Sequence, residues 1–533
     1  MDPQEVHLSR RSKKASDSTP MSSCFLPALI ISVAGIAVSL VAPESFRNMM
    51  FGIRDQVLAR AGWCYIWLDG IFLVATLALG FGPWGRIKLG KPEDSPEFSF
   101  FEWFGLLFCA ALAAGLVFFG VAEPLSHFAN PPRFAGVEKS SMASAQWALV
   151  NSFLHWGLNA WCIYLVIPIP LAYLVHKRGF ACRVSSALYP LMGNLVDGWI
   201  GKAVDSLCAL VSVGGIAVSL GYVGLQLAGG LHYEYGIRLG LPGTVGLILL
   251  LTVCMTASSV SGVDRSIKVL SNLNVLLALG LLIFVLAAGP TLSVIAITMK
   301  SLKEYVATLP WLSFRVADGE GAVWMNQWTV MYYAWWCSWA PMVGVFYVRV
   351  SKGRTIRELV LAGLIAPVLV DVLWFGVFGG SSLILDLQSN AGLAQVMVEH
   401  GIEYPIFALL HQLPLAAVTV PLFLLLIAIF FVAGGDATAM SIAILSSGGN
   451  PDPPNWMRVV WGGLQGITAA ILILLGGIAT IEATSIVAGF LMVFLLLAAL
   501  TATFVLVYRE SVATPTELTE ASIGAKSGPF EES

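Results

Sequence analysis

The sequence predicts an all-α integral membrane protein with twelve transmembrane helices, and three observations carry that reading. Of 533 residues, 57% are hydrophobic and 11% charged, against about 25% charged in soluble chains. The mean hydropathy is +0.81. Twelve stretches reach the ~20 mostly apolar residues that a span requires. Finally, the 29 Lys and Arg divide 20 to 9 between alternate loops, the larger share falling on the side of both termini. The positive-inside rule then places both termini in the cytoplasm, and the expected location is the plasma membrane.

The elements follow in order. Residues 1–24 form a polar cytoplasmic tail with Arg10, Arg11, Lys13 and Lys14. The apolar stretch after it is long enough to span and reads as a retained first helix, not a cleaved signal. The expected spans are 25–43, 63–82, 101–121, 147–174, 204–229, 242–260 and 268–289, then 324–348, 359–383, 412–434, 457–477 and 482–507. Between the seventh and eighth, 292–314 mixes Lys300, Lys303 and Glu304 with Leu, Ile and Val, the pattern of an amphipathic helix on the membrane surface. Residues 25–508 thus form one transmembrane domain with no soluble domain. The tail 509–533 is short and acidic, with two basic and five acidic residues, and is expected to be disordered.

Spans 3–7 and 8–12 make two halves of five helices, and an odd number per half gives the two opposite topologies, as in carriers built from inverted repeats. Irregular backbone at membrane depth implies a cavity, because hydrocarbon leaves no partner for free N–H and C=O groups. Three places invite a break: Ala110–Gly115 in span three, Ser338-Trp339-Ala340-Pro341 in span eight, and Val432-Ala433-Gly434-Gly435-Asp436 at the end of span ten. Close helix packing through small residues is the competing reading of each.

Trp335, Trp336 and Trp339 lie near the middle of span eight, whereas membrane tryptophans ordinarily sit at the water interface. Span four holds a second aromatic group, His155-Trp156-Gly157-Leu158-Asn159-Ala160-Trp161-Cys162-Ile163-Tyr164. On a helix, Trp161 and Tyr164 are neighbours and Trp156 lies within about 80° of the same face. A quaternary ammonium donates no N–H hydrogen bond, but aromatic faces attract it by about 0.5–2 kcal/mol each once water is excluded. The two groups therefore point to an onium cation. Intramembrane acids are functional candidates by default; Asp371, Asp436 and Asp69 qualify, the first two as candidates for coupling, with a structural partner as the alternative for each.

Other classes find little support. The eight cysteines show no paired spacing, so neither disulfides nor a zinc site is expected. There is no HExxH, no P-loop and no Ser/His/Asp set within the spans, so no enzyme is expected, and no cofactor, metal or nucleic-acid partner. A channel would need a ring of charges or a repeated filter motif.

The chain resembles the betaine/carnitine/choline transporter family, BCCT, over nearly all of spans one to twelve. The resemblance rests on Tyr333-Ala334-Trp335-Trp336-Cys337-Ser338-Trp339-Ala340-Pro341 continuing into Arg349–Glu358. It is supported by Gly120-Val121-Ala122-Glu123-Pro124-Leu125, His155-Trp156, Trp161, Tyr164 and Val260-Ser261-Gly262-Val263-Asp264. It implies a LeuT-like inverted-repeat fold, a homotrimer in the lipid bilayer and a central site for trimethylammonium compounds such as betaine, choline or carnitine, or their sulfonium analogues. Carried over, the aromatic box is Trp156, Trp161, Tyr164 and Trp336, with Trp335 and Trp339 lining the inward path and the unwound backbone of Ala111, Ala113 and Gly115 available to a substrate carboxylate.

Three departures bear on mechanism. Where sodium-coupled members have hydroxyl residues before the acid of span ten, this chain has Ala433 and Gly434. A second pair of threonines falls on Ser212 and Ile216. Sodium is a hard cation that favours oxygen ligands, so transport without sodium, by exchange or proton coupling, is expected. Ala111 and Ala113 replace glycines, and alanine favours the helix, which argues against unwinding there. The short acidic tail favours nutrient uptake over osmotic regulation. A carrier of the same fold for an amino acid or another amine is the alternative.

Overall fold

A computed structural model describes residues 24–111, 115–260 and 264–524; side chains at 109–111, 264–271 and 512–524 are outside the description. Among the described residues the chain is helical throughout, with no strand and one isolated antiparallel bridge, Lys88 to Thr355. In order, the helices are α1 Phe25–Val41, α2 Pro43–Phe81, α3 Phe100–Ala111, α4 Gly115–Ala129, α5 Met142–Trp156, α6 Leu158–Val166 and α7 Pro168–Ala172. They continue as α8 Trp199–Tyr235, α9 Gly240–Val260, α10 Asp264–Ala288, α11 Thr291–Leu312, α12 Met331–Val350, α13 Ile356–Val360, α14 Ala366–Trp374 and α15 Gly380–Ser389. Last come α16 Ala416–Ser446, α17 Asn455–Gly476 and α18 Ile478–Gly524. Short helices connect several of these.

Eight helical stretches are long and apolar enough to cross a bilayer. They answer to expected spans two, four, five, six, nine, ten, eleven and twelve. A ninth arises if the pair Asn272–Ala288 and Thr291–Leu312, bent by 111°, is one span. The expected surface helix 292–314 is therefore a real helix, turned sharply from the seventh span. The other three expected spans differ for identifiable reasons. α1 is 17 residues long, just short of a full crossing. Span three lies in two pieces, α3 and α4, on either side of residues 112–114, which are not described. Span eight is shortened by a π-turn at Asn326–Val330, and the remaining α12 is rich in Trp and Tyr, which add little hydropathy.

Two expected interruptions are not there. α12 runs unbroken through Pro341. Proline removes one helical N–H, but neighbouring helices grip this stretch from two sides. A Cβ on Gly489 of α18 would stand 2.7 Å from Ala334 Cα, and one on Gly215 of α8 2.5 Å from Ser338 Oγ. Likewise, α16 does not end at Gly434-Gly435 but continues to Ser446. Gly435 packs directly on Met255 of α9. The small-residue reading wins at Gly435, where contact rather than a break explains the glycine; nothing packs within 4 Å of a Cβ at Gly434.

The interruption that does occur is at Gly157, between α5 and α6. Its backbone leaves the helical range, at φ −91 and ψ −138. A Cβ there would fall 2.7 Å from the Tyr305 hydroxyl of α11 and against the Phe153 carbonyl. That hydroxyl accepts a hydrogen bond from Leu158 N–H at 3.0 Å, satisfying a donor freed by the break.

Candidate binding site

The break at Gly157 sets the site, because it separates Trp156 on α5 from Trp161 and Tyr164 on α6. Both helices pack against α12 so that Trp336 closes the set. Ring centroids are 5.8 Å apart for Trp161 and Tyr164, 6.2 Å for Tyr164 and Trp336, and 4.9 Å for Trp336 and Trp156. Interplanar angles of 84°, 75° and 72° make all three contacts edge-to-face, the arrangement that aromatic quadrupoles favour. The four predicted box residues are thus brought together. All four are buried.

Each of the three indole N–H groups is held by an acceptor. Trp156 donates to Glu123 Oε2 at 2.7 Å, Trp336 to the His155 carbonyl at 3.0 Å and Trp161 to Asp371 Oδ2 at 2.6 Å. Phe108 of α3 stacks on Trp161 at 6.1 Å and 9°. All three indole donors are thus engaged, while Phe108 and Trp335 stack on Trp161 and Trp336.

The remaining candidates sort as follows. Trp335 stacks on Trp336 at 4.9 Å and 13°, and its N–H reaches the Gly215 carbonyl at 3.2 Å. Trp339 is 1% exposed and its indole nitrogen has no partner. Gly115 stands at the aromatic set: a Cβ there would meet Trp335 at 2.7 Å and Trp156 at 2.9 Å. Ala113 lies outside the described residues, and of Ala111 only the helical backbone is described.

The acids have structural partners. Asp371 accepts from Trp161, as above. Asp69 accepts from Asn159 Nδ2 at 2.5 Å and so ties α2 to α6. Asp436 accepts from Ser258 Oγ at 3.0 Å. At the positions compared with sodium-coupled members, Ile216 is buried core and Ser212 Oγ is buried without a partner; Ala433 and Gly434 carry no side-chain oxygen.

One centre went unread as a site in the sequence. Glu123 of α4 is fully buried and accepts four hydrogen bonds. His155 Nδ1 at 2.7 Å and His127 Nε2 at 3.3 Å reach Oε1. Trp156 at 2.7 Å and the Tyr332 hydroxyl at 2.6 Å reach Oε2. Glu123, His127 and His155 place ligand-type atoms within 4.8 Å of one another, but the four donors already occupy the carboxylate's lone pairs. The hydrogen bonds account for the cluster without an ion. The signal was present: an acid amid apolar residues with histidine at i+4 on one helix.

The family model of the BCCT, betaine/carnitine/choline family transporter matches residues 23–512. An uncharacterized transporter of Mycobacterium tuberculosis is 41% identical over 86% of this chain and 77% of its own length. The glycine betaine transporter OpuD of Bacillus subtilis is 37% identical over 88% of this chain and 91% of its own. A glycine betaine/proline/choline transporter of Vibrio parahaemolyticus is 32% identical, covering 88% of each.

Proposed function

Because the chain belongs to the betaine/carnitine/choline transporter family, we propose that this multi-pass membrane transporter carries quaternary ammonium or related onium solutes such as betaine, choline or carnitine. The observation that carries the reading is the box of Trp156, Trp161, Tyr164 and Trp336 with all three indole N–H groups already engaged. Aromatic walls whose donors are already spent suit a cation that offers no hydrogen bond.

In this reading the twelve spans form two inverted five-helix halves, both termini lie in the cytoplasm of a plasma-membrane protein, and the assembly is a homotrimer. Trp335 and Trp339 line the inward path, and Gly115 brings the start of α4 to the box, where helix N–H groups could receive a substrate carboxylate. Transport does not need sodium, a reading supported by the absence of side-chain oxygens at Ala433, Gly434 and Ile216. Asp371 and Asp436 serve structure in this reading, since Trp161 and Ser258 engage them.

Two measurements test it. Betaine or choline is expected to quench tryptophan fluorescence, and Trp336→Leu to abolish the response. Quenching by amino acids but by no onium compound would favour the amino-acid carrier. Uptake into proteoliposomes is expected to be equal with and without a sodium gradient; strong dependence on the gradient would overturn the sodium-free reading.

A further inference from the structure

We propose that His155 is the proton-binding residue of this carrier, and that its proton and the onium cation exclude one another, so that transport exchanges one for the other. The inference rests on the onium reading above and adds to it the coupled ion and the residue that holds it.

The hydrogen bonds assign the proton. An ionised carboxylate only accepts, so His155 Nδ1 carries the hydrogen that points to Glu123 Oε1 at 2.7 Å. Nε2 is then the nitrogen left to take up a proton, and it lies 2.9 Å from Thr329 Oγ1. A hydroxyl donates or accepts by rotating its hydrogen. It gives a hydrogen to bare Nε2 and takes one from Nε2–H, so His155 can gain or lose a proton with no heavy atom moving.

His127 cannot do the same. Its Nε2 serves Glu123 at 3.3 Å, while Nδ1 is buried without a partner. A proton on Nδ1 would be a buried donor with nothing to bind, a costly state.

Charge links this proton to the box. With His155 charged, the Glu123–His155 pair is neutral; without the proton, one negative charge stays buried, which is unfavourable unless compensated. A cation among the adjoining rings compensates it. Trp156 is bonded to Glu123 and Trp336 to the His155 carbonyl, so two walls of the box are fastened to the two members of the pair. The balanced states are a proton with an empty box, or a cation with bare His155. As the cation binds, the Nε2–H bond breaks and its proton passes to water.

The other groups turned to this pair are few. α4 presents His127. Tyr332, at the start of α12, donates to Glu123, and Tyr222 of α8 packs on Phe119 and Trp335 behind it. α11 presents Tyr305, engaged by Leu158 N–H, and Glu304, engaged by Gln146. Asp371 of α14 is held by Trp161.

The test adds choline chloride to purified full-length protein in weak buffer with a pH indicator while fluorescence reports binding. Over a series of falling pH, a fraction of a proton rising towards about one is expected to leave per choline bound. Over the same series the apparent Kd is expected to rise, by up to about tenfold per pH unit. His155→Asn keeps an N–H toward Glu123 and is expected to bind choline with no release and no pH dependence. Thr329→Val leaves His155 and Glu123 in place and is expected to shift the release to lower pH, since the charged imidazole loses the stronger hydrogen bond. Quenching without release, proton uptake on binding, unchanged release from His155→Asn, or a stoichiometric metal ion in the purified protein would each overturn the inference alone. No quenching by any onium compound would overturn the onium reading, and this inference with it.

Discussion

Gly157 shows how one residue decides the geometry of the site. On a straight helix Trp156, Trp161 and Tyr164 would share a broad face, and sequence spacing alone gives that picture. The non-helical backbone at Gly157 instead sets Trp156 on its own helix, where it reaches both Glu123 and Trp336. Gly157→Ala is expected to cost about 1–3 kcal/mol, because the Cβ has no space between Phe153 and Tyr305. A fall in melting temperature in detergent, with weaker choline binding, would show it. Tyr305→Phe, which removes the acceptor for Leu158 N–H, is expected to cost about 1 kcal/mol in the same assay. The box residues themselves were legible as Trp and Tyr at unusual depth. Glu123 was not read as a site, since an acid beside a span has an ordinary explanation until its four partners are seen.

At the scale of the element, proline and glycine mislead when read one helix at a time. Pro341 was expected to break span eight, yet α12 passes through it. The reason lies on neighbouring helices, whose glycines let backbones approach closely enough to hold the segment. Pro341→Ala is therefore expected to change stability by less than about 1 kcal/mol and to leave choline quenching intact; loss of binding would mean that the proline shapes the site after all. Gly489→Ala is expected to do the greater damage, about 1–3 kcal/mol, because its Cβ would press on the Ala334 backbone and not on a movable side chain. Thermal unfolding of the two variants side by side decides between them. The same logic explains α16, where Gly435 serves a contact with Met255 rather than a helix end.

For the whole molecule, the four box residues and the Glu123 centre lie buried where α4, α5, α6 and α12 meet. Tags at the two termini are expected to be reached by a protease only from the cytoplasmic side, as the Lys and Arg distribution requires; a terminus cut from outside would refute the topology. The sequence by itself determined the membrane class, the family and the aromatic residues, because composition and apolar run length record what lipid demands of each segment. Tertiary structure alone decided where the chain breaks and which groups share the buried acid. Tyr332 lies 209 residues from Glu123, and Asp371 210 from Trp161. Such partners are chosen by helix packing, which brings together positions that no local pattern connects.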